Sequence, residues 1–208
     1  MTLPDRGGIA SQAMPGSDRE LWSRLAVVDE RALTALFRRH SDAVYNFAFR
    51  RTTSWSTAED VVQATFTSLW RRARQGTVDE LRAESALAVL LVMAGHECTN
   101  AVRSARRQRL LVGRMESVAG ATATGDHALD TATRVDDERR MSEVRRALGR
   151  IPAAQREAIE LVVWSGCSLA EAAVALGVPE GTLKSRLHRA RRSLSGIIEI
   201  AALKEALS

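Results

Sequence analysis

An all-α fold with two small domains is predicted by three features of this 208-residue sequence. Apolar residues recur at spacings of three and four from Glu20 to about Leu111, and again from Glu138 to Leu207. Neither segment keeps the alternation of apolar and polar residues that a half-buried strand requires. The stretch between them, SVAGATATGDHALDTATRVDD, is rich in Ala, Thr, Gly and Asp and nearly free of large apolar residues. Such a composition is typical of a flexible linker between two helical domains.

The same patterns set the boundaries of each segment. Residues 1–18 mix Pro, Gly, Ser and Asp without a period, and we predict that they form a disordered tail. Each helical segment is long enough to bury a small core of its own. We therefore expect the first helical domain at 19–115, the linker at 116–137, the second helical domain at 138–198 and a C-terminal helical extension at 199–208.

Charge and composition narrow the class of partner. The formal net charge is +5, the isoelectric point is about 10.1 and the arginines cluster, which indicates a polyanionic partner. No run approaches the ~20 apolar residues of a membrane span, and the N-terminus lacks the apolar middle of a signal peptide. We therefore expect a cytoplasmic protein without a membrane partner. Cys98 and Cys167 are far apart and are expected to be reduced thiols, without a disulfide or a bound metal.

Residues 168–180 carry the signature of a helix-turn-helix. Ser168 is a suitable N-cap, and Glu171 three residues later completes a capping box. Apolar residues follow on one helix face, and Gly177 can end this helix in the left-handed conformation. Pro179 fits the start of a second helix. In such a pair the second helix is the one that enters a DNA major groove.

The second helix, within GTLKSRLHRARRSL, separates an apolar stripe from a basic face. At about 100° per residue, Leu183, Leu187, Ala190 and Leu194 share one narrow side, which anchors the helix. An arginine fork matches the edge of guanine, so Arg189 is the first candidate for base reading. Phosphate contacts would set the register without reading sequence. The predicted DNA contacts are Thr182, Lys184, Ser185, Arg186, His188, Arg189, Arg191 and Arg192.

Two simpler interpretations compete with this one. A basic helix face can merely be solvated, although its place directly after a capped turn favours contact with DNA. The segment GVPEGTLKS resembles a phosphate-binding loop, but Leu183 stands where that motif has a glycine, so we reject nucleotide binding there. Upstream, IPAAQREAIELVVW is predicted to form a supporting helix whose apolar residues are Ile151, Ile159, Leu161, Val162 and Val163.

Two stretches of the sequence resemble a known family. Residues 151–194, IPAAQREAIELVVWSGCSLAEAAVALGVPEGTLKSRLHRARRSL, resemble region 4 of bacterial sigma factors of the extracytoplasmic-function group. The stretch LFRRHSDAVYNFAFRRTTSWSTAEDVVQATFTSLWRR is similar to region 2 of that family, through Glu59, Asp60, Gln63, Phe66 and Trp70. The resemblance implies a transcription initiation factor that binds core RNA polymerase and directs it to particular promoters. No cofactor and no bound metal are expected.

The resemblance also implies where the polymerase binds. Periodicity places the apolar residues of the helix around Phe66 on one face and leaves a polar face outside. In the family this helix binds the clamp helices of the beta-prime subunit, which makes Asp60, Gln63 and Thr67 candidate contacts, while region 4 meets the beta flap. A plain amphipathic helix of a bundle is the alternative for each of these residues. Analogy with the family makes an anti-sigma protein a plausible further partner.

The end of the first domain, AGHECTNAVRSARRQR, has no acidic residue from Cys98 to Met115, which suits contact with phosphates. The resemblance implies that this helix engages the minus-ten promoter element and that the helix-turn-helix reads the minus-thirty-five element. The implied minus-ten contacts are Asn100, Arg103, Arg106 and Arg107. The family usually has a Trp-Leu pair and an Arg-Asn pair in this helix, whereas this chain has Val89-Leu90 and Gly95-His96.

Two other classes of protein remain open from the sequence. A stand-alone helix-turn-helix regulator would use its first domain to sense a signal or to dimerise, and an inactive sigma-like protein would bind other proteins only. A catalytic or metal cluster at His96, Glu97 and Cys98 is rejected, because consecutive helical side chains diverge by about 100°. No catalytic residues and no enzyme activity are expected.

Overall fold

The computed structural model describes residues 16–115 and 131–206, and within these ranges it contains helices and no strand. No helix in these ranges is long and apolar enough to cross a membrane. The first domain comprises α1 (Asp18–Ala26), α2 (Glu30–Thr52), α3 (Trp55–Arg74) and α4 (Leu87–Met115). The second comprises α5 (Thr131–Leu148), α6 (Ala153–Ala158), a π-helical segment (Ile159–Trp164), α7 (Leu169–Ala175) and α8 (Glu180–Ala206). The predicted all-α fold with two helical domains is confirmed.

Side-chain caps decide where the helices of the first domain begin. Ser17 caps α1 and forms a capping box with Glu20. The carboxylate of Asp29 accepts hydrogen bonds from the first amides of α2, and the hydroxyl of Ser54 accepts one from the first turn of α3. Each cap satisfies amides that no carbonyl within the helix reaches. The helices therefore start at the capping residues that the sequence provides.

The core of the first domain is mostly aliphatic, and Trp22, Phe47, Phe49 and Phe66 are buried in it as well. All four helices turn one apolar side inward, and α2, α3 and α4 pack against one another. The fully buried side chains include Leu21, Leu36, Val61, Leu69 and Leu91. Burying a side chain of this size contributes about 1.5–3 kcal/mol, so this packing holds α3 and α4 in fixed positions.

A buried polar network ties α1 to α2 and α4. Asp18 accepts hydrogen bonds from the guanidinium of Arg39, the ring Nε2 of His40, the hydroxyl of Ser85 and, at 2.7 Å, the backbone N–H of Ala86. Burial alone would raise the pKa of Asp18, but these hydrogen bonds outweigh it and hold that pKa well below its usual range. The predicted disordered tail, residues 1–18, is therefore wrong for its last residue, because Asp18 is buried and hydrogen-bonded. Residues 1–15 lie outside the described part.

The support for the helix-turn-helix is a short α-helix that widens into a π-helical segment. Ile151, Ile159 and Leu161 are buried as predicted. Val163 is 52% exposed, so its prediction as a core residue is wrong. A run of adjacent residues cannot all face one side of a helix, and the wider π-helical turn leaves Val163 outside while Glu160 faces inward.

Two predicted boundaries of the second domain differ from the structure. Residues 131–137 were predicted to be linker, but they belong to α5. The lack of large apolar residues there does not prevent a helix, because Arg, Glu and Ala have good helix propensities. At the other end, α8 continues without a break through residues 199–206. The rest of the predicted linker, 116–130, and the last two residues, 207–208, lie outside the described part.

The two domains contact each other directly, an arrangement we call closed. Helix α4 packs on α7, and Nη1 of Arg50 donates a hydrogen bond of 2.6 Å to the carbonyl of Trp164. Nη1 of Arg51 lies 3.4 Å from Oε2 of Glu160, and these side chains are 17% and 3% exposed. The closed arrangement thus buries an ion pair between α2 of the first domain and the π-helical segment of the second.

Candidate nucleic-acid interface

The turn between α7 and α8 has the predicted geometry. The hydroxyl of Ser168 accepts a hydrogen bond of 3.2 Å from the N–H of Glu171, whose carboxylate accepts one of 2.9 Å from the N–H of Ser168. Gly177 has a φ of +65°, the left-handed conformation that ends α7. The carbonyl of Pro179 accepts hydrogen bonds from the amides of Thr182 and Leu183, the third and fourth residues of α8. The predicted helix-turn-helix is confirmed, and these bonds fix the direction in which α8 leaves the domain.

One side of α8 is buried and the other is exposed. Leu183, Leu187 and Ala190 are 0%, 6% and 0% exposed, and Leu194 packs partly against the same core. Two candidates, Thr182 and Arg186, are half-buried beside this stripe. The exposed candidates are Lys184, Ser185, His188, Arg189, Arg191 and Arg192. The helical projection of the sequence is therefore confirmed for exposure, and the cations lie where a ligand can reach them.

Two candidates on α8 are already oriented by bonds within the helix. The hydroxyl of Ser185 donates a hydrogen bond of 2.9 Å to the carbonyl of Gly181. Nε of Arg189 donates one of 3.3 Å to the carbonyl of Ser185. The two terminal nitrogens of Arg189, which form the fork that matches guanine, do not take part in this bond. Ser185 retains only its oxygen lone pairs for an external group, so it can act there as an acceptor.

The exposed face of α3 has the predicted composition. Asp60, Gln63 and Thr67 are exposed at the spacing of one helix face, while the apolar side, including Phe66, is buried in the core. Beside Phe66, the ring of Phe37 on α2 lies edge-on with centroids 4.9 Å apart and is 43% exposed. No role for Phe37 is predicted from the sequence. Its signal was a large apolar residue within the stretch that carries the resemblance to region 2.

The basic half of α4 exposes most of its candidates. Asn100, Arg103 and Arg107 are exposed at spacings of three and four, which places them on one side of the helix. The side chain of Arg106 lies outside the described part. Arg103 also lines a cavity between the two domains, so the closed arrangement places second-domain residues beside it.

The rejected cluster on α4 does not converge. His96 is exposed, Glu97 accepts a hydrogen bond of 3.0 Å from the hydroxyl of Ser68, and Cys98 is buried. Burial raises the pKa of the Cys98 thiol to about 12 and that of the Cys167 thiol to about 11. At neutral pH both are protonated and poor nucleophiles. Within residues 16–115 and 131–206, no group of three potential metal ligands comes together.

The residues that join the domains were missed by the sequence analysis. The guanidinium of Arg50 lies 5.9 Å from the ring centroid of Trp164. Burial raises the pKa of Glu160, and the charge of Arg51 opposes that shift. A Cβ added at Gly95 would lie 2.6 Å from Nη1 of Arg51, so the glycine leaves room for that guanidinium. The one available signal was Gly95 itself, where this chain departs from the family pattern.

Comparisons with known proteins agree with both helical domains. The model of Sigma-70 region 2 matches residues 36–108, and the model of Sigma-70 region 4 matches residues 141–194. The ECF RNA polymerase sigma factor SigL of Mycobacterium tuberculosis is 31% identical over 175 residues, which cover 83% of this chain and 92% of SigL. SigM of the same species is 32% identical over 182 residues, covering 88% of this chain and 85% of SigM.

A solved structure supports the fold independently. The structure of CnrH in complex with the cytosolic domain of CnrY matches with a TM-score of 0.62 at 24% identity, over 89% of this chain and 99% of that chain. Regions 2 and 4 occur here in that order, one in each helical domain, which favours an initiation factor over a stand-alone regulator with a sensing domain. The chain belongs to the ECF family of RNA polymerase sigma factors, transcription initiation factors that direct RNA polymerase to promoters.

Proposed function

We propose that the two domains divide promoter recognition between them in the bacterial cytoplasm. The first domain, helices α1 to α4, binds core RNA polymerase and the minus-ten element. The second domain, helices α5 to α8, reads the minus-thirty-five element. The segment between them supplies a high local concentration of the second domain and makes no specific contact of its own. Neither domain alone is then expected to bind a promoter tightly.

The observation that carries this proposal is the two-sided character of α8 directly after a capped turn. Its apolar stripe is buried, while its opposite face carries cations and has no acidic residue from Gly181 to Ile198. The free amides at the start of α8 favour a phosphate, as helix N-termini generally do. Arg189 then reads a guanine, and Ser185 accepts from a base amino group. Arg186, Arg191 and Arg192 contact phosphates, with Lys184, His188 and Thr182 beside them.

The polymerase-binding part of the proposal rests on α3 and α4. Asp60, Gln63 and Thr67 form the polar side of a docking surface for the beta-prime clamp helices, and the exposed ring of Phe37 adds an apolar centre to it. Along α4, Asn100, Arg103, Arg106 and Arg107 approach the minus-ten strand, where positive charge favours the phosphates. Both surfaces belong to one rigid four-helix domain, so docking on polymerase positions α4 over the DNA.

Reconstituted transcription tests the proposed function. Start sites mapped after overexpression identify candidate promoters, and the purified chain is then combined with core polymerase on those templates. We expect co-elution with core polymerase and run-off transcripts that disappear when the minus-thirty-five element is scrambled. A stand-alone regulator would neither co-elute with core polymerase nor support transcription without another sigma factor. That outcome would overturn the proposal.

A further inference from the structure

The closed arrangement forms a cavity that is open to solvent and has a strongly cationic lining. The cavity has a volume of about 820 Å³ and lies between α2 and α4 of the first domain and the α5–π-helical part of the second. Seven arginines line it, and Glu160 is the single carboxylate among its lining residues. We call it the arginine cavity. Of its lining residues, only Arg103 is also among the proposed contacts with promoter DNA.

The first domain contributes three of these arginines, and two of them are held in place. Arg50 donates to the carbonyl of Trp164 at 2.6 Å. Arg51 faces Glu160 at 3.4 Å and lies over Gly95, where any side chain would displace it. Arg103 of α4 is exposed and lines the same cavity. On the first-domain side of the cavity, Arg50 and Arg51 are therefore held in place, and the exposed side chain of Arg103 can contact a bound ligand.

The second domain contributes arginines without acidic partners. Arg145, Arg146 and Arg150 are exposed, and none has a carboxylate within 4.0 Å among the described residues. Arg156 makes one long hydrogen bond, 3.5 Å, to the carbonyl of Leu148. The Glu160 charge is already matched by Arg51. Among the residues whose side chains the structure describes, most of the positive charge in the cavity thus has no acidic partner.

The chemistry of the lining selects its ligand. Guanidinium forks bind phosphate oxygens bidentately, and several forks around one cavity suit an anion with more than one phosphate. A volume of about 820 Å³ lies within the range of small-molecule sites. Like charges also repel, so bringing the two sets of arginines together is unfavourable unless an anion accompanies closure. An anion that binds both sets must in turn favour the closed arrangement.

We propose that the arginine cavity binds a small anion carrying several phosphates and that this binding holds the two domains closed. The ligand class includes inorganic polyphosphate and nucleoside polyphosphates. Because Arg103 belongs both to the cavity and to the proposed minus-ten surface, the bound anion competes with promoter DNA for it. The binding step itself does not depend on the proposed function, since it is measured on the protein alone.

Calorimetry with inorganic tripolyphosphate tests the site. The variant Arg145→Gln/Arg146→Gln/Arg150→Gln removes three cations from the cavity. The matched control Arg31→Gln/Arg38→Gln/Arg74→Gln removes three exposed arginines that do not line the cavity. We expect the cavity variant to weaken tripolyphosphate binding at least about tenfold and the control less than about twofold. Equal weakening in both variants would show non-specific attraction of a polyanion and would overturn the proposal.

The reactivity of Cys98 tests whether the anion closes the molecule. Cys98 is 2% exposed and lines the arginine cavity, and Cys167→Ala leaves it as the single thiol of the chain. If opening exposes the thiol, tripolyphosphate at ten times its dissociation constant should slow modification by a disulfide reagent about tenfold. Sodium chloride at equal ionic strength should not slow the modification. Binding of tripolyphosphate without slower modification would overturn the link to closure.

Two further binding measurements distinguish the possible sources of the phosphates. A nucleoside triphosphate that binds more than about tenfold tighter than tripolyphosphate would assign the site to nucleotides, whereas equal affinity would assign it to inorganic polyphosphate. Duplex DNA is the competing occupant. If tripolyphosphate does not bind and the cavity variant instead loses affinity for DNA, the arginines are backbone contacts for DNA and the proposal fails.

Discussion

Arg189 is an exposed arginine on α8 whose guanidinium is held by a bond within the helix. Its Nε donates to the carbonyl of Ser185, and its two terminal nitrogens take no part in that bond. A bidentate pair with guanine is worth about 1–3 kcal/mol of discrimination. We therefore expect Arg189→Ala to lower the preference for the cognate minus-thirty-five element over a scrambled one by about 5- to 100-fold. Run-off transcription and gel-shift titrations on both templates measure this ratio.

A neighbouring arginine provides the control for base reading. Arg191 is equally exposed but is proposed to contact phosphates. Arg191→Ala should weaken binding to all sequences by a similar factor and reduce its salt dependence. If Arg189→Ala behaves in the same way as Arg191→Ala, then Arg189 does not read a base.

Asp18 is the residue whose charge contributes most clearly to the stability of the first domain. Asp18→Asn keeps the shape of the side chain but removes the charge that Arg39 and His40 face in a buried site. Breaking such a buried network costs about 3–5 kcal/mol. Urea denaturation at pH 7 measures the loss. The matched variant Asp42→Asn, on an exposed position of α2, should change stability by less than about 0.5 kcal/mol.

The pH dependence of the same variant has a definite sign. Hydrogen bonds hold the pKa of Asp18 in the folded protein below the ordinary value of an aspartate, 3.8. Its contribution is therefore fully present above that value and is lost as the pH falls through it toward the folded-state pKa. The stability difference between the wild type and Asp18→Asn should be constant from about pH 5 to 7 and should shrink below about pH 4. A difference that grows in acid would contradict this account.

At the scale of helices, α3 presents the surface proposed to dock on polymerase. Asp60→Arg reverses a charge at the N-terminal end of that exposed face without touching the core. We expect affinity for core polymerase to fall at least about tenfold, because like charges across an interface are strongly disfavoured. Fluorescence anisotropy with core polymerase measures the affinity, and circular dichroism confirms the helical content. Asp42→Arg makes the same charge change on α2 and should bind normally.

Gly95 couples α4 to the second domain through Arg51. In Gly95→Ala the new Cβ would lie 2.6 Å from Nη1 of Arg51, so the guanidinium must move from the position in which it faces Glu160. Alanine also favours a helix by about 1 kcal/mol over glycine. We expect Cys98 to be modified faster while the melting temperature of the first domain does not fall. Gly196→Ala, on α8 with nothing within 4 Å of the added Cβ, should leave the Cys98 rate unchanged.

Periodicity and capping in the sequence were sufficient to predict the helices that carry the site. The stripe from Leu183 to Leu194 and the Ser168 cap depend on local spacing alone, so a projection of one helix locates them. The π-helical segment could not be predicted in this way, because the run IELVV has no helical period that singles out Glu160. The ion pair of Arg51 with Glu160 joins residues far apart in sequence, and no local pattern encodes such a contact. Asp18 was missed for the same reason.

At the scale of the whole molecule, the closed arrangement cannot be the one that reads a promoter. The names of the minus-ten and minus-thirty-five elements place them about 25 base pairs apart, which is roughly 85 Å of B-form DNA at 3.4 Å per base pair. In the closed arrangement α4 is in direct contact with α7, the helix beside α8. The surfaces proposed to read the two elements must therefore separate, and the contacts between the domains oppose that separation.

Glu160→Arg should open the molecule. The substitution places a second cation against Arg51 in an interface where position 160 is 3% exposed, and an uncompensated buried charge costs about 3–5 kcal/mol. We expect a larger radius of gyration in small-angle scattering and faster formation of promoter complexes with core polymerase. The exchange Arg51→Glu/Glu160→Arg should restore part of the closure, because the pair is again complementary. Glu143→Arg, an exposed change of equal charge on α5, should leave the radius unchanged. A radius for Glu160→Arg equal to that of Glu143→Arg would mean that this ion pair does not hold the domains together.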